Sequence, residues 1–250
     1  MKKKVFIGIG HGGSDPGAVA NGLKESNLAL DIGMRLNALL KAAGVFTLIS
    51  RTADVDDDLT DKIARCNVFN PDLALDIHIN AGKAEGWEAY VYSGGGTSKL
   101  LAQNIEQEVK KITISRGLKT KLNSSGADYF GFIRQVKAPS VILEAAFIDN
   151  AKDVERIKTG EGRQKFAEAY AAGILKTLGI KTVQAEGGGS VCCKASYKTL
   201  EEVPEYGRAI VKKLIDKGLL KGYADSSLGL NLSEELVRML VINDRAGLYK

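Results

Sequence analysis

An α/β fold, with a largely parallel sheet flanked by helices on both faces and a small helical module at the C-terminus, is the architecture this sequence predicts. Three observations carry that expectation. Apolar runs of strand length recur, segments of helical periodicity separate them, and the character of the chain changes after Gly179. Val5–Ile9, Val45–Ile49, Leu73–Ile77, Glu88–Tyr92 and Val141–Ala145 read as strands. All but the fourth are apolar nearly throughout, the pattern of strands covered on both faces.

Between the first two strands, Leu28, Ile32, Leu36, Leu39 and Ala43 fall on one helical stripe, and Gly44 stands at the usual stop position. Leu59–Phe69 and Thr97–Ile112 read as the next two helices, and Phe166, Tyr170, Ile174 and Leu178 recur at four-residue steps in a fourth. Strands alternating with helices of this kind predict a parallel sheet in a domain spanning residues 1–180. Residues 181–196 carry three consecutive glycines and few large apolar groups, and read as a linker. In residues 197–250, Pro204 opens a helix holding Ile210, Leu214 and Ile215, and Gly218 closes it. Ser233 caps a second, with Glu234 and Glu235 in its first turn and Leu236, Leu240 and Val241 inward. About fifty residues in two helices are marginal alone, so docking or self-association through this tail is expected.

Composition excludes several classes. Thirty-five Lys and Arg against 30 Asp and Glu give a net charge of +5, too mild for a dedicated nucleic-acid binder but favourable at a polyanionic surface. No apolar stretch approaches the ~18 residues of a membrane span, so no membrane insertion is expected. The apolar run in MKKKVFIGIGHGG is too short for a secretory signal, which predicts a soluble chain held in the cytoplasm until released. Cys66, Cys192 and Cys193 have neither disulfide-framework nor zinc-ribbon spacing.

The chain has only two histidines, His11 and His78, and both stand at the ends of predicted strands. Ligands of open α/β sheets bind at that edge, so the pair is a candidate for metal ligation, against the plainer reading of backbone hydrogen bonding at strand ends. Glu25 lies on the inward stripe of the first helix, where a carboxylate costs desolvation energy unless something pairs it. Its place in the first turn, beside the helix dipole, is the plainer account. Glu144 interrupts the apolar strand Val141–Ala145, and a carboxylate there should face a cavity, a cation or a water. An ion pair with Arg134 is the structural alternative, and Asp76 and Asp149 are read as structural acids. Gly8, Gly10 and Gly13 form a G-x-G-x-x-G pattern, but SDPGAVANGL intervenes before the helix and no acid ends the second strand. A dinucleotide oxidoreductase is therefore disfavoured.

These segments together resemble the catalytic domain of the zinc-dependent N-acetylmuramoyl-L-alanine amidases (Amidase_3 family), which includes phage endolysins and spore or division amidases. GHGGSDPGA (Gly10–Ala18), KES (Lys24–Ser26), DIHINA (Asp76–Ala81) and LEAAFIDN (Leu143–Asn150) follow the family's order, over roughly residues 4–178. The resemblance implies one Zn²⁺ per chain held by His11, Glu25 and His78, with Glu144 as general base and acid. It implies roles for Asn80 and Arg51 in orienting substrate or supporting the ligands, and peptidoglycan as substrate, cut between N-acetylmuramic acid and L-alanine. A wall-binding module that has lost catalysis is the alternative. Departures from the family pattern include Asp76 for serine, Lys62 for arginine, Cys66 for alanine and Ala146 for glycine. The tail is similar to a single S-layer-homology motif, which implies a secondary cell-wall polymer as its partner.

Overall fold

Six strands form the central sheet: β1 (Lys4–Ile9), β4 (Phe46–Ile49), β5 (Leu73–Asn80), β6 (Trp87–Val91), β7 (Ser115–Lys119) and β8 (Ser140–Phe147). The computed structural model describes residues 2–180, 197, 199–217, 220, 232, 237, 240, 241 and 244. The strand order is β4-β1-β5-β8-β6-β7. All neighbours run parallel except β6, which is antiparallel to β8. A two-stranded hairpin, β2 (Val19–Ala20) with β3 (Leu23–Lys24), leads into α1 (Glu25–Ala42).

Strand alternation assigns each residue a face. Val5, Ile7, Ile9, Leu75, Ile77 and Leu143 pack with Leu28, Ile32 and Leu36 of α1. The same core takes in Leu101 and Ile105 of α3 (Gly96–Val109) and Phe166, Tyr170 and Ile174 of α6 (Gly160–Thr177). Phe6, Ala74 and Ile142 point the other way, against Ile63 and Cys66 of α2 (Leu59–Phe69) and Phe132 and Ile133 of α4 (Gly131–Gln135). This second cover is shorter than the first. Beyond it the strands continue as Asp76, His78, Asn80 and Glu144, and these side chains line open cavities.

The structure departs from sequence expectation at the polar ends of elements. β5 and β8 run on to Asn80 and Phe147, because neighbouring strands pair their polar ends. Leu40, not Ala43, completes the buried stripe of α1, since the helix stops at Ala42. Four elements had no legible signal. These are the β2–β3 hairpin, β7, α4 and α5 (Ala151–Ile157), all short, and β7 (SRGLK) is a polar edge strand.

The chain divides into two compact units, Met1–Thr182 and Val183–Lys250. In the second, α7 (Glu205–Asp216) begins directly after Pro204. Its Ile210, Val211 and Leu214 are buried with Val203, Leu232, Val237 and Leu240. The linker with Cys192 and Cys193, the closing Gly218 and the cap segment Ser233–Leu236 lie outside the described residues.

Candidate metal centre

The two histidines reach one point because the backbone crosses itself closely. Beyond β1, Gly10 donates its N–H to the Ile77 carbonyl at 2.9 Å. A Cβ at Gly10 would lie 2.4 Å from Cε1 of His78, so only glycine permits this approach. His11 then adopts φ 56°, a left-handed conformation that costs ~1–3 kcal/mol and is stored mainly at functional sites. Glu25 is the first residue of α1, delivered by the hairpin, and is 5% exposed.

Three side chains converge there. Glu25 Oε1 lies 2.9 Å from His78 Nδ1 and 3.2 Å from His11 Nε2, and accepts the Ile79 N–H at 3.0 Å. Oε2 accepts from the Ala18 N–H at 2.9 Å. One ligand atom from each of His11, Glu25 and His78 lies within 4.8 Å of the others. The outer nitrogens face carboxylates: His11 Nδ1 meets Asp15 at 2.7 Å, and His78 Nε2 meets Asp76 at 3.4 Å. An acceptor behind each ring can hold the proton on the outer nitrogen once the inner nitrogen gives up its own to bind a cation.

The charge balance favours a cation. Burial works against a charged His78, yet Asp76, Glu25 and Glu144 outweigh it and push its pKa up to about 10. Burial also opposes ionisation of Glu25, but hydrogen bonds from His11 and His78 hold it below the usual carboxylate range. Glu144 behaves oppositely. Burial, helped by the charges of Glu25, Glu88 and Asp76, pushes it up to about 7 although His78 pulls it down. Its Oε2 is buried without a hydrogen-bond partner. Glu144 is the register partner of His78, and it lines a cavity of about 410 Å³ with His11, Glu25, His78 and Asn80. Arg134 does not pair with it, donating instead to the carbonyls of Asp128 and Tyr129.

The remaining candidates take supporting positions. Asn80 donates to Glu88 at 2.9 Å and accepts the Ala81 N–H at 2.8 Å. Arg51 lies behind the centre, 4% exposed, and donates to the carbonyls of Gly10 (3.0 Å) and Ser26 (2.8 Å). It thereby ties the His11 loop to the start of α1. Asp149 accepts the N–H groups of Gly82 and Lys83, a loop role. Asp76 is buried within β5 against Lys62 Nζ at 3.3 Å. Asp76 and Lys62, two departures from the family pattern, thus contact one another behind His78. Glu88, buried at the start of β6, went unnoticed in the sequence because its importance depends on which strand β6 adjoins.

Comparison with known proteins places nearly the whole of the first unit in one family. Residues 5–176 match the N-acetylmuramoyl-L-alanine amidase family, Amidase_3. A sporulation-specific N-acetylmuramoyl-L-alanine amidase of Bacillus subtilis is 35% identical, over 74% of this chain and 71% of the relative. The endolysin of Bacillus phage SPP1 is 33% identical, over 76% of this chain and 70% of the endolysin. Among solved structures, Cwp6 of Clostridium difficile superposes with a TM-score of 0.70 and 31% identity, over 71% of this chain and 30% of that longer one. The amidase AmiC2 of Nostoc punctiforme superposes with a TM-score of 0.64 and 30% identity, over 72% of this chain and 98% of its own. The chain belongs to the N-acetylmuramoyl-L-alanine amidase family.

Proposed function

We propose that this peptidoglycan amidase is zinc-dependent, and that it hydrolyses the amide joining the lactyl group of N-acetylmuramic acid to L-alanine. The observation that carries the reading is the convergence of His11 Nε2 and His78 Nδ1 on Glu25 Oε1, with Glu144 in register beside them. The residues fit the ion. Two imidazoles and a carboxylate are a ligand set of catalytic zinc sites, which keep a further position open. Both rings are backed by acids, and three carboxylates draw positive charge to His78. When bound, Zn²⁺ supplies Lewis acidity, polarising a carbonyl and lowering the pKa of water toward ~7.

This chain's own residues do the rest. Glu144, poised near neutrality and without another partner, takes the proton from the attacking water and passes it to the departing amine. Asn80, anchored by Glu88, shapes the cavity wall against which substrate lies. Arg51 keeps the His11 and Glu25 segments at fixed separation. We assign residues 1–180 to catalysis and the C-terminal unit to cell-wall attachment, on its likeness to an S-layer-homology motif. The site of action is the cell wall. Among the described residues no helix is long and apolar enough to cross a membrane.

Metal analysis of the purified chain should find one zinc per chain, falling at least tenfold in occupancy in His11→Ala or Glu25→Ala. Mass spectrometry of digested peptidoglycan should show free L-alanine amino termini and intact glycan strands. Full lytic activity of a zinc-free protein ends the metal reading. Failure to release dye from labelled walls favours a binding module without catalysis.

A further inference from the structure

Outside the metal centre, the most informative arrangement is a polar row that crosses the sheet. His78 of β5 is in register with Glu144 of β8, which is in register with Glu88 of β6. Glu88 has a side chain only 3% exposed, yet it is saturated with donors. Its Oε1 accepts from Asn80 at 2.9 Å and from the Tyr90 hydroxyl at 3.4 Å. Its Oε2 accepts from Arg116 Nε at 2.9 Å and from Lys119 Nζ, both on the edge strand β7. Hydrogen bonds from Lys119 and Arg116 overcome the cost of burial and hold Glu88 ionised. Two cations therefore share one anion, and one positive charge is left over.

That surplus is accessible. The side chains of Arg116 and Lys119 are 38% and 33% exposed. Arg116 spends only Nε on Glu88, and its terminal nitrogens donate to no acceptor among the described residues. A guanidinium held by one edge presents its other donors in the fork that suits a carboxylate. The basic pair reaches the cleft through Asn80, which lines the cavity beside Glu144 and donates to Glu88, and the cavity on the His11 side is richer in acids. The cavity of about 530 Å³ beside His11 is lined by Asp15, Asp56, Asp57 and Asp58, with Lys62 as its cation, paired with Asp57 at 3.6 Å. An anionic group is repelled there and attracted toward β7.

We propose that Arg116 and Lys119 form a subsite for a carboxylate of the peptide leaving group, one or two residues beyond the scissile amide. The inference rests on the amidase reading. Scale supports it: Glu144 and β7 are two strand spacings apart, ~10 Å, a distance that two residues of extended peptide at ~3.3–3.6 Å each span together with the length of a carboxylate side chain. The neutral glycan then lies over the other end, so the charge gradient fixes the direction in which substrate enters.

The test uses two synthetic muramyl peptides of identical sequence, one with free peptide carboxyls and one with those carboxyls amidated. The full-length protein and its R116Q/K119Q variant are compared by KM and kcat, with calorimetry of the two released peptides as a readout independent of turnover. The expected result is a tenfold or greater preference for the free-carboxyl substrate, carried by KM and weakened by salt. In the variant that preference should collapse toward unity, and calorimetry should show the same loss of discrimination. Equal KM for both substrates in the unmodified protein, or a preference retained by the variant, overturns the subsite and leaves the amidase reading standing. Cleavage of neither substrate at the muramyl–alanine bond overturns both.

Discussion

The two faces of the sheet are built from the same strands and serve opposite ends. On one face Val5, Ile7, Ile9, Leu75, Ile77 and Leu143 are wholly buried beneath α1 and α6, and nothing polar interrupts them. On the other, Phe6, Ala74 and Ile142 lie under α2 and α4, and the strands then turn polar at Asp76, His78, Asn80, Glu88 and Glu144. Buried charge is tolerated there because each group has a partner or a cavity. Asp76 has Lys62, Glu88 has Arg116 and Lys119, and Glu25 has two imidazoles. Glu144 alone among these acids has one oxygen with no partner. One face thus holds the fold together, while the other carries the buried charges.

Mutations should separate the faces cleanly. Glu144→Gln is expected to lower turnover by ~10²–10⁴, the usual worth of a positioned general base, while zinc content stays unchanged. Thermal unfolding of the same variant should show stability equal or raised, because a desolvated acid has been removed. Comparable activity of variant and parent on purified peptidoglycan would sink the role of Glu144. On the apolar face, Ile32→Ala should cost ~2–5 kcal/mol in denaturant unfolding, since Ile32 is 0% exposed. Zinc content and KM of the folded fraction should not change. A loss well below that range would mean the α1 layer repacks and does not hold the sheet.

The smallest effect is a pH dependence confined to the polar face. The proposed base role requires Glu144 deprotonated, so kcat/KM should fall as pH drops through its pKa, about 7 without an ion and lower beside a divalent cation. Stability has the opposite sign. A carboxyl raised from 4.5 to about 7 binds its proton more tightly when folded, so the ion-free protein should lose stability as pH rises across that window. In Glu144→Gln both dependences should flatten, which titration of unfolding midpoints and rates would reveal.

Much of the centre was legible because its residues are anomalous where they stand. Two scarce histidines at strand ends, an acid on an apolar helix stripe and an acid inside an apolar strand each broke a pattern that burial imposes. Glu88, Lys62 and Arg51 broke no such pattern. Glu88 opens a half-polar strand, and Lys62 and Arg51 resemble ordinary surface cations until their partners are known. Arg51 was expected near substrate or ligands, and its donors go to the carbonyls of Gly10 and Ser26. Nothing in its own segment names those acceptors.

By itself the sequence determined the alternation of strands and helices and the inward stripe of α1, and it marked Glu25 and Glu144 as acids in apolar surroundings. These follow from periodicity, which is local, and from the high energy of isolated charge in apolar surroundings. Only the tertiary structure decided the order β4-β1-β5-β8-β6-β7, and with it that antiparallel β6 sets Glu88 beside Glu144. Strand order depends on contacts between segments far apart in the chain, whose pairing energy no single segment contains. The polar row and its basic edge exist only once that pairing has formed.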